Sequence, residues 1–323
     1  MKHYAGRGPA TGGSGLRRRL ESGAFAVTSE VGPPRGADPD DVRRKVAALR
    51  GWVDAVNITD NQGANVRMAS WAGSLLAIEA AVEPIMQVTC RDRNRIALQS
   101  DLLSCSALGV RNVLLMTGDD PRSGDHAGAK PVFDLRSVEL LRAARTMRDE
   151  GRLLSGRQLR PAPSWLIGAT ANPGARPERL RDKVEAGAEF VQTQFVFDLA
   201  AFVRWMARVR DLGLPERCHV IAGVGPIRSL RALDHLRDSM PGVEIPGHVE
   251  RRLRGVPETR VEEEGLALCV ELIQGVAGVP GVAGVHVMAN GYEQGIPDLL
   301  LRAGIPPRPG PHRPETDRDV CAH

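Results

Sequence analysis

Eight short apolar segments recur along the chain, and a stretch with helical spacing follows each of them. Apolar runs of this length that alternate with helices are typical of buried parallel strands. Eight strand–helix units within about 250 residues predict a (β/α)8 TIM barrel, a single-domain fold of the α/β class. The predicted strands are Ala24–Glu30, Asp54–Thr59, Pro84–Thr89, Arg111–Thr117, Trp165–Ala171, Glu189–Phe195, His219–Gly223 and Gly284–Met288.

Polar residues stand at or just after the ends of most of these segments. In a barrel of this kind the carboxyl ends of the strands form one face, and that face carries the active site. We therefore expect a substrate and any cofactor to bind among these end residues. They are Glu30, Thr59, Thr89, Asp119, Asn172, Gln194 and Asn290.

Composition narrows the class of ligand and the compartment. The 323 residues carry a formal net charge of +4, mostly from arginine, and only 4% are aromatic. A basic stripe with interleaved aromatic residues is missing, so the sequence favours an anionic substrate or cofactor over nucleic acid.

The five cysteines show neither disulfide-framework nor metal-ligand spacing, which predicts a cytoplasmic protein without a metal site. A membrane-spanning helix needs about 18 consecutive apolar residues, and every apolar run of this sequence is much shorter. The N-terminus does not resemble a secretory signal.

The ends of the chain differ in composition from its centre. Residues 1–20 are rich in glycine and arginine and predict a disordered leader, whereas residues 306–323 are Pro-rich and charged and predict a disordered tail. Residues 21–305 form the predicted barrel domain. Within it, the polar segment 119–134 is expected to form a lid over the site or to grip a ligand, and the long connection 241–274 is expected to contain an extra helix.

Two carboxylates are candidates for chemistry. Glu30 closes an apolar strand and has few polar neighbours in sequence, which suits a general acid at the barrel mouth. The alternative is an ordinary strand-end glutamate paired with Arg35. Asp119 follows Gly118, where the backbone can approach a ligand closely, and it could accept a hydrogen bond from a heterocycle or a ribose. The alternative for Asp119 is a helix cap or a turn.

Amide and basic side chains extend the candidate site. Gln192 and Gln194 share one face of a strand, and a buried amide needs a hydrogen-bonding partner. We expect Gln194, nearer the strand end, to contact a ligand, with a structural amide as the alternative. Lys183 could reach a phosphate or be a solvated helix lysine, and His286 within the last strand is expected to be a satisfied core histidine.

Seven short motifs stand in order along the chain: SEVGPPR, AVNITDNQGAN, MQVTCRDRNR, LLMTGDDP, AGAEFVQTQFVFD, VIAGVGPI and GVHVMAN. Taken together in order and spacing, they resemble the methylenetetrahydrofolate reductase family from about Phe25 to Ile305. The resemblance is greatest to the short bacterial form of acetogens. It implies a flavin, FAD or FMN, that passes a hydride from NAD(P)H to 5,10-methylenetetrahydrofolate and yields 5-methyltetrahydrofolate.

The same resemblance implies roles for individual residues. Glu30 matches the catalytic acid that helps to protonate N10 of the folate. Asp119 matches a catalytic aspartate that binds the pterin and tunes the flavin, and Gln194 and Asn290 match substrate contacts. The residues implied to bind the cofactor are Thr59, Asp60, Gln87, Thr117, Gly118, Asp119, Asn172 and Lys183.

Several positions depart from the family pattern. Thr117, Asn172 and Gln87 replace an arginine, a tyrosine and a histidine, and Tyr292 falls near an expected arginine. The change at Thr117 predicts one positive charge fewer beside Asp119. Acetogen-type relatives work with a cysteine-rich, zinc-containing partner subunit, so such a partner and an oligomer are expected here. The alternative functions are a methyltransferase barrel that passes a methyl group from methyltetrahydrofolate to a corrinoid partner, and a non-catalytic subunit that carries flavin.

Overall fold

The computed structural model of the chain describes residues 13–288 and 291–308. Eight parallel strands pair in sequence order and close into a barrel, since β1 pairs with both β2 and β8. Each predicted strand is confirmed to within two residues at either end, and so is the (β/α)8 fold. The strands are β1 Ala26–Val31, β2 Ala55–Ile58, β3 Pro84–Thr89, β4 Asn112–Met116, β5 Leu166–Ala171, β6 Phe190–Phe195, β7 His219–Val224 and β8 Val282–Val287.

Helices surround the barrel and bury their apolar faces against it. On α7, Phe202, Trp205, Met206 and Val209 are buried, as their helical spacing predicts. The helices of the described residues are α1 Gly15–Glu21, α2 Pro39–Leu49, α3 Ser70–Glu79, α4 Arg95–Ala107, α5 Ser137–Arg145, α6 Glu178–Glu185, α7 Leu199–Asp211, α8 Leu230–Ser239, α9 Gly247–Arg254, α10 Val261–Ala277 and α11 Ile296–Arg302. The extra helix predicted in the connection 241–274 is α9.

The helix α1 corrects the prediction that residues 1–20 are a disordered leader. Leu16 and Leu20 lie one turn apart on α1 and are 0% and 3% exposed. They pack against the amino-terminal ends of the strands, together with Phe190, whose ring occupies the space that Gly168 leaves. The helix therefore closes the bottom of the barrel. Residues 1–12 lie outside the described part of the chain.

The predicted disordered tail also begins in contact with the barrel. The backbone N–H of Arg308 donates to the carbonyl of Gly51, and its guanidinium donates to the carbonyl of Phe25. Arg308 also lies 3.5 Å from the Asp54 carboxylate. Residues 306–308 thus belong to the folded body, and the prediction for residues 309–323 concerns a segment that the structure does not describe.

Candidate active site

A cavity of about 530 Å3 opens at the carboxyl ends of the strands, on the face where the sequence placed the site. Most of the predicted site residues line it: Glu30, Asp60, Gln87, Thr117, Gly118, Asp119, Asn172, Lys183 and Gln194. Thr59 is not on the cavity wall; it is buried, and its hydroxyl has no partner among the described residues. Asn290 lies outside the described residues.

The floor of the cavity is a hydrogen-bonded polar layer inside the barrel. The amides of Asn57 and Gln192 bond to each other in both directions, at 2.6 and 3.1 Å. Gln192 Nε2 also lies 3.1 Å from Thr28 Oγ1, and Thr28 Oγ1 lies 2.9 Å from His286 Nδ1. These four side chains are almost completely buried. The layer is fixed by its own bonds, which makes it a rigid base for a ligand.

Glu30 lies directly above this layer. Its carboxylate is 3.9 Å from Nε2 of His286, and the residue is only 8% exposed. Because Thr28 engages the other ring nitrogen, the imidazole presents Nε2 to the carboxyl group. Arg35, the alternative partner from the sequence, bonds to Asn65 instead. The structure thus places Glu30 next to His286, which the sequence predicted to be a core residue.

Asp119 stands at the mouth of the cavity with an exposed carboxylate. The cap of the following short helix is Asp120, so the capping alternative for Asp119 is wrong. Gly118 adopts φ +90°, which favours glycine, and a Cβ there would lie 3.2 Å from Cβ of Arg91. The backbone at Gly118 therefore packs closely against Cβ of Arg91.

Arg91 brings a positive charge to the cavity wall near Asp119. Its side chain is 3% exposed, lines the cavity and is gripped by both oxygens of Asp92 at 2.7 and 2.8 Å. Burial disfavours its charge, but Asp92, Asp60 and Asp119 outweigh burial and raise the pKa of Arg91. The end of β3 thus contributes a cation to the cavity wall, and the charge expected to be lost at Thr117 stays a prediction.

Asp60, implied as a cofactor contact, is occupied by protein groups. One carboxylate oxygen accepts from the backbone N–H of Thr89 at 2.8 Å and from its hydroxyl at 2.9 Å, and it also pairs with Arg93. Arg93 in turn donates to Asp101 at 2.9 Å. This network ties the end of β2 to the end of β3, so Asp60 shapes the cavity wall.

Three basic side chains, from α6 and the segment before it, line the cavity near the end of β5. Lys183 on α6 donates to the carbonyl of Thr170 at 2.6 Å and makes no ion pair within the described residues. Burial lowers the pKa of Lys183, and the nearby Arg179 lowers it further. Arg176 and Arg179 also line the cavity. This end of the site is suited to phosphate or carboxylate groups.

The amides nearer the rim make backbone contacts. Gln194 donates to the carbonyl of Pro241 at 3.1 Å and accepts from the N–H of Phe195 at 3.0 Å. Asn172 accepts from the N–H of Gly174 at 2.8 Å. Gln87 is half-buried in the wall between them and the polar floor. Gln194 is thus held by its own surroundings while it faces the cavity.

The described cysteines are buried and unsuited to nucleophilic chemistry. Burial raises the pKa of Cys90 to about 11 and the pKa values of Cys105 and Cys269 to about 12, and it also raises the pKa of Cys218.

The described residues contain no cluster of three or more His, Cys, Asp or Glu side chains placed to hold a metal ion. Within the same residues, no helix combines the length and apolar character needed to cross a membrane.

Comparison with known proteins gives a family match along almost the whole described chain. The profile of the family "Methylenetetrahydrofolate reductase" matches residues 15–304. A relative from Caenorhabditis elegans, "Probable methylenetetrahydrofolate reductase (NADPH)", is 23% identical over 90% of this chain and 44% of its own length. A "5,10-methylenetetrahydrofolate reductase" from Pectobacterium carotovorum is 22% identical over 78% of this chain and 81% of its own length.

The chain spans less than half the length of the C. elegans relative and 37% of "Methylenetetrahydrofolate reductase 1" from Schizosaccharomyces pombe, at 24% identity over 72% of this chain. Among solved structures, a Clostridium thermocellum protein described as binding two copies of 5-methyl-5,6,7,8-tetrahydrofolic acid superposes with a TM-score of 0.61. It is 12% identical and covers 89% of this chain and 97% of its own. At that identity the likeness concerns the fold alone.

Proposed function

Because the chain belongs to the methylenetetrahydrofolate reductase family, we propose that it reduces 5,10-methylenetetrahydrofolate to 5-methyltetrahydrofolate by hydride transfer. The observation that carries the proposal is the buried Glu30 carboxyl beside His286 at the floor of the cavity. Reduction requires the five-membered ring of the substrate to open, and opening requires a proton at N10. A carboxyl group held at the closed end of a cavity is suited to donate that proton.

Glu30 is the proposed general acid, and His286 positions it. The bond between Thr28 and Nδ1 of His286 fixes the imidazole, so Nε2 remains directed at the carboxyl group. The paired amides of Asn57 and Gln192 hold Thr28 from the other side. The polar floor thereby restrains the acid without occupying its carboxylate.

Asp119 is proposed to bind the pterin ring. A carboxylate can accept hydrogen bonds from the N–H groups of an aminopyrimidine, and Asp119 faces the cavity with its carboxylate exposed. Arg91 lines the same cavity. Gln194 and Asn290 are the further proposed substrate contacts.

The donor set also fits a flavin nucleotide, which would supply the hydride when bound. Lys183 and Arg179 lie side by side at the basic end of the cavity, where the two phosphates of FAD suit them better than the single phosphate of FMN. Between that end and the polar floor lie the side chains proposed to contact the ring system: Gln87, Thr117 and Asn172. Asp60 belongs to this wall and is held in place by its pairing with Arg93. Thr59 is buried outside the wall.

We propose NAD(P)H as the source of electrons, either directly or through a cysteine-rich, zinc-containing partner subunit in an oligomer. The names of related proteins include both an NADPH form and an NADH form.

The proposal is tested by a product assay on the purified chain. The bound cofactor is released by denaturation and identified by mass spectrometry; the protein is then reduced with dithionite under anaerobic conditions and mixed with 5,10-methylenetetrahydrofolate. We expect one equivalent of 5-methyltetrahydrofolate per bound flavin. Failure to form this product with flavin bound would refute the proposal. A colourless protein that demethylates methyltetrahydrofolate with a corrinoid acceptor would establish the methyltransferase alternative.

A further inference from the structure

The helix α3 presents its large apolar side chains to the outside of the barrel. Trp71 and Ile78 are 42% and 37% exposed, and Leu75 between them is half-buried. The residues that α3 buries are small: Ser70, Gly73, Ser74 and Ala77. A helix on the surface of a soluble domain normally shows the reverse arrangement, with its large apolar residues facing inward.

The close approach of α3 to the barrel explains the small residues but not the large ones. A Cβ on Gly73 would lie only 2.7 Å from Cγ2 of Ile58 on β2, so the inner side of α3 has no room for larger side chains. Trp71, Leu75 and Ile78 stand at i, i+4 and i+7, which is the spacing of one helix face. The packing of a single chain does not require this outward stripe to be apolar.

The neighbouring helix α4 continues the apolar surface. Ile96 is 75% exposed in its first turn, and Leu108 is 47% exposed directly after its last residue. The ends of the two helices meet, since a Cβ on Gly109 would lie 3.9 Å from Cδ1 of Ile78. The exposed positions along α4 between its two large apolar residues include small, uncharged ones: Ser100, Ser104 and Ala107.

The charged side chains of both helices are already paired within the chain. Glu79 of α3 pairs with Arg43 of α2 at 2.9 Å. On α4, Arg95 pairs with Asp134, and Asp101 pairs with an arginine that precedes the helix. The outward sides of α3 and α4 therefore offer a partner apolar side chains and hydroxyl groups rather than unpaired charges. A surface of the same uncharged kind is the complementary partner.

We propose that this surface binds the same surface of a second copy of the chain in a two-fold symmetric dimer. We call it the α3/α4 face, and its apolar members are Trp71, Leu75, Ile78, Ile96 and Leu108. In a two-fold dimer one patch contacts its own copy, so an uncharged patch meets an uncharged patch. The inference goes beyond the proposed function and does not depend on it.

The size of the α3/α4 face agrees with such a contact. α3 has 10 residues and α4 has 13, so the helices are about 15 and 20 Å long. Neighbouring helices lie about 8–10 Å apart and each is about 10 Å wide, so their outward sides cover on the order of 400 Å2. A stable interface buries about 800 Å2 per partner. The face thus supplies an apolar centre, and the charged side chains of the flanking helices α2 and α5 suit a polar rim.

The proposed dimer leaves the main cavity of each copy open. α3 and α4 run along the outer wall of the barrel, and the five apolar residues of the α3/α4 face do not line the cavity. A variant that separates the two copies should therefore retain its bound cofactor. Retention of the cofactor distinguishes loss of the dimer from damage to the site.

The test is sedimentation equilibrium of the full chain, purified with its bound cofactor, at about 1 to 100 μM. The double variant Trp71→Glu/Ile78→Glu places carboxylates on the α3/α4 face of both copies. The matched control is Val203→Glu, because Val203 is 41% exposed on α7, beyond the other side of the barrel. Thermal unfolding verifies that each variant is folded. If the double variant does not fold, Ile96→Glu replaces it, since Ile96 is 75% exposed and contributes little to the core.

We expect the full chain and the Val203 control to reach twice the 34.8 kDa of one chain within this range. Like charges that face each other across the contact should weaken the dimer of the α3/α4 variant at least about 100-fold. A full chain that stays monomeric throughout overturns the proposal and leaves the face to a different partner. A folded α3/α4 variant that dimerises like the full chain, or a control that loses the dimer equally, overturns it as well.

Discussion

Replacing Asp60 with asparagine should destabilise the barrel, because its carboxylate joins two strand ends. The side chain is 2% exposed and pairs with Arg93, whose own side chain is 16% exposed. The same oxygen accepts from the N–H and the hydroxyl of Thr89. Asparagine preserves the shape and can still accept one of these bonds, but it cannot balance the guanidinium charge.

The magnitude follows from what each partner retains. Removing one member of a buried ion pair typically costs about 3–5 kcal/mol. Arg93 keeps Asp101 at 2.9 Å, and Asp101 is 27% exposed, so part of the charge remains compensated and solvated. We therefore expect Asp60→Asn to lower the free energy of unfolding by about 2–4 kcal/mol, and Asp101→Asn to lower it by less.

Urea unfolding followed by circular dichroism measures these differences, provided that unfolding is reversible. A double-mutant cycle with Arg93→Gln should give a coupling energy of at least about 1.5 kcal/mol between Asp60 and Arg93. A loss below about 0.5 kcal/mol, combined with weaker flavin binding, would refute the structural role and return Asp60 to the set of cofactor contacts.

Three further predictions concern the core and the titrating groups. Leu16→Ala should cost about 2–5 kcal/mol in urea unfolding, because it opens a cavity in the barrel floor; a loss near zero would mean that α1 does not close the barrel. In a Cys321→Ser variant, the four buried thiols should react with a disulfide reagent at pH 8 only after unfolding, because burial raises their pKa values. Burial also raises the pKa of Glu293, and this penalises the ionised carboxyl in the folded state alone. Glu293→Gln should therefore raise the melting temperature at neutral pH, with no gain below pH 4.5, the ordinary carboxyl value; an equal gain for the exposed Glu258→Gln would contradict this.

The sequence predicted the barrel because strand–helix alternation is a local signal that repeats eight times. It missed α1 because glycine and arginine dominate that segment, although Leu16 and Leu20 carry the one-turn spacing of a buried helix face. The start of the tail was missed for a similar reason. From the sequence, Arg308 is expected to be a solvated charge, because its partner Asp54 is distant in the sequence and lies beside it only in the folded chain.

The sequence predicted individual residues of the candidate site, but it did not predict the contacts between them. Glu30 and Asp119 could be located because strand ends meet at one face of a barrel. Thr28 and His286 are 258 positions apart and meet only because β1 pairs with β8, which depends on barrel closure. Arg91 could not be placed near Asp119 from the sequence, because their proximity depends on the pairing of β3 with β4.

The most direct test of the central claim is the folate half-reaction of Glu30→Gln. The amide keeps the shape of Glu30 but has no acidic proton, so the reduced variant should be reoxidised by 5,10-methylenetetrahydrofolate at least about 10²-fold more slowly than the unaltered protein. Flavin content and reduction by the electron donor should be unchanged, and the exposed Glu258→Gln serves as the matched control. Stopped-flow absorbance records each half-reaction separately. Reoxidation of Glu30→Gln at the rate of the unaltered protein would contradict the assignment of Glu30 as the acid and, with it, the proposed mechanism.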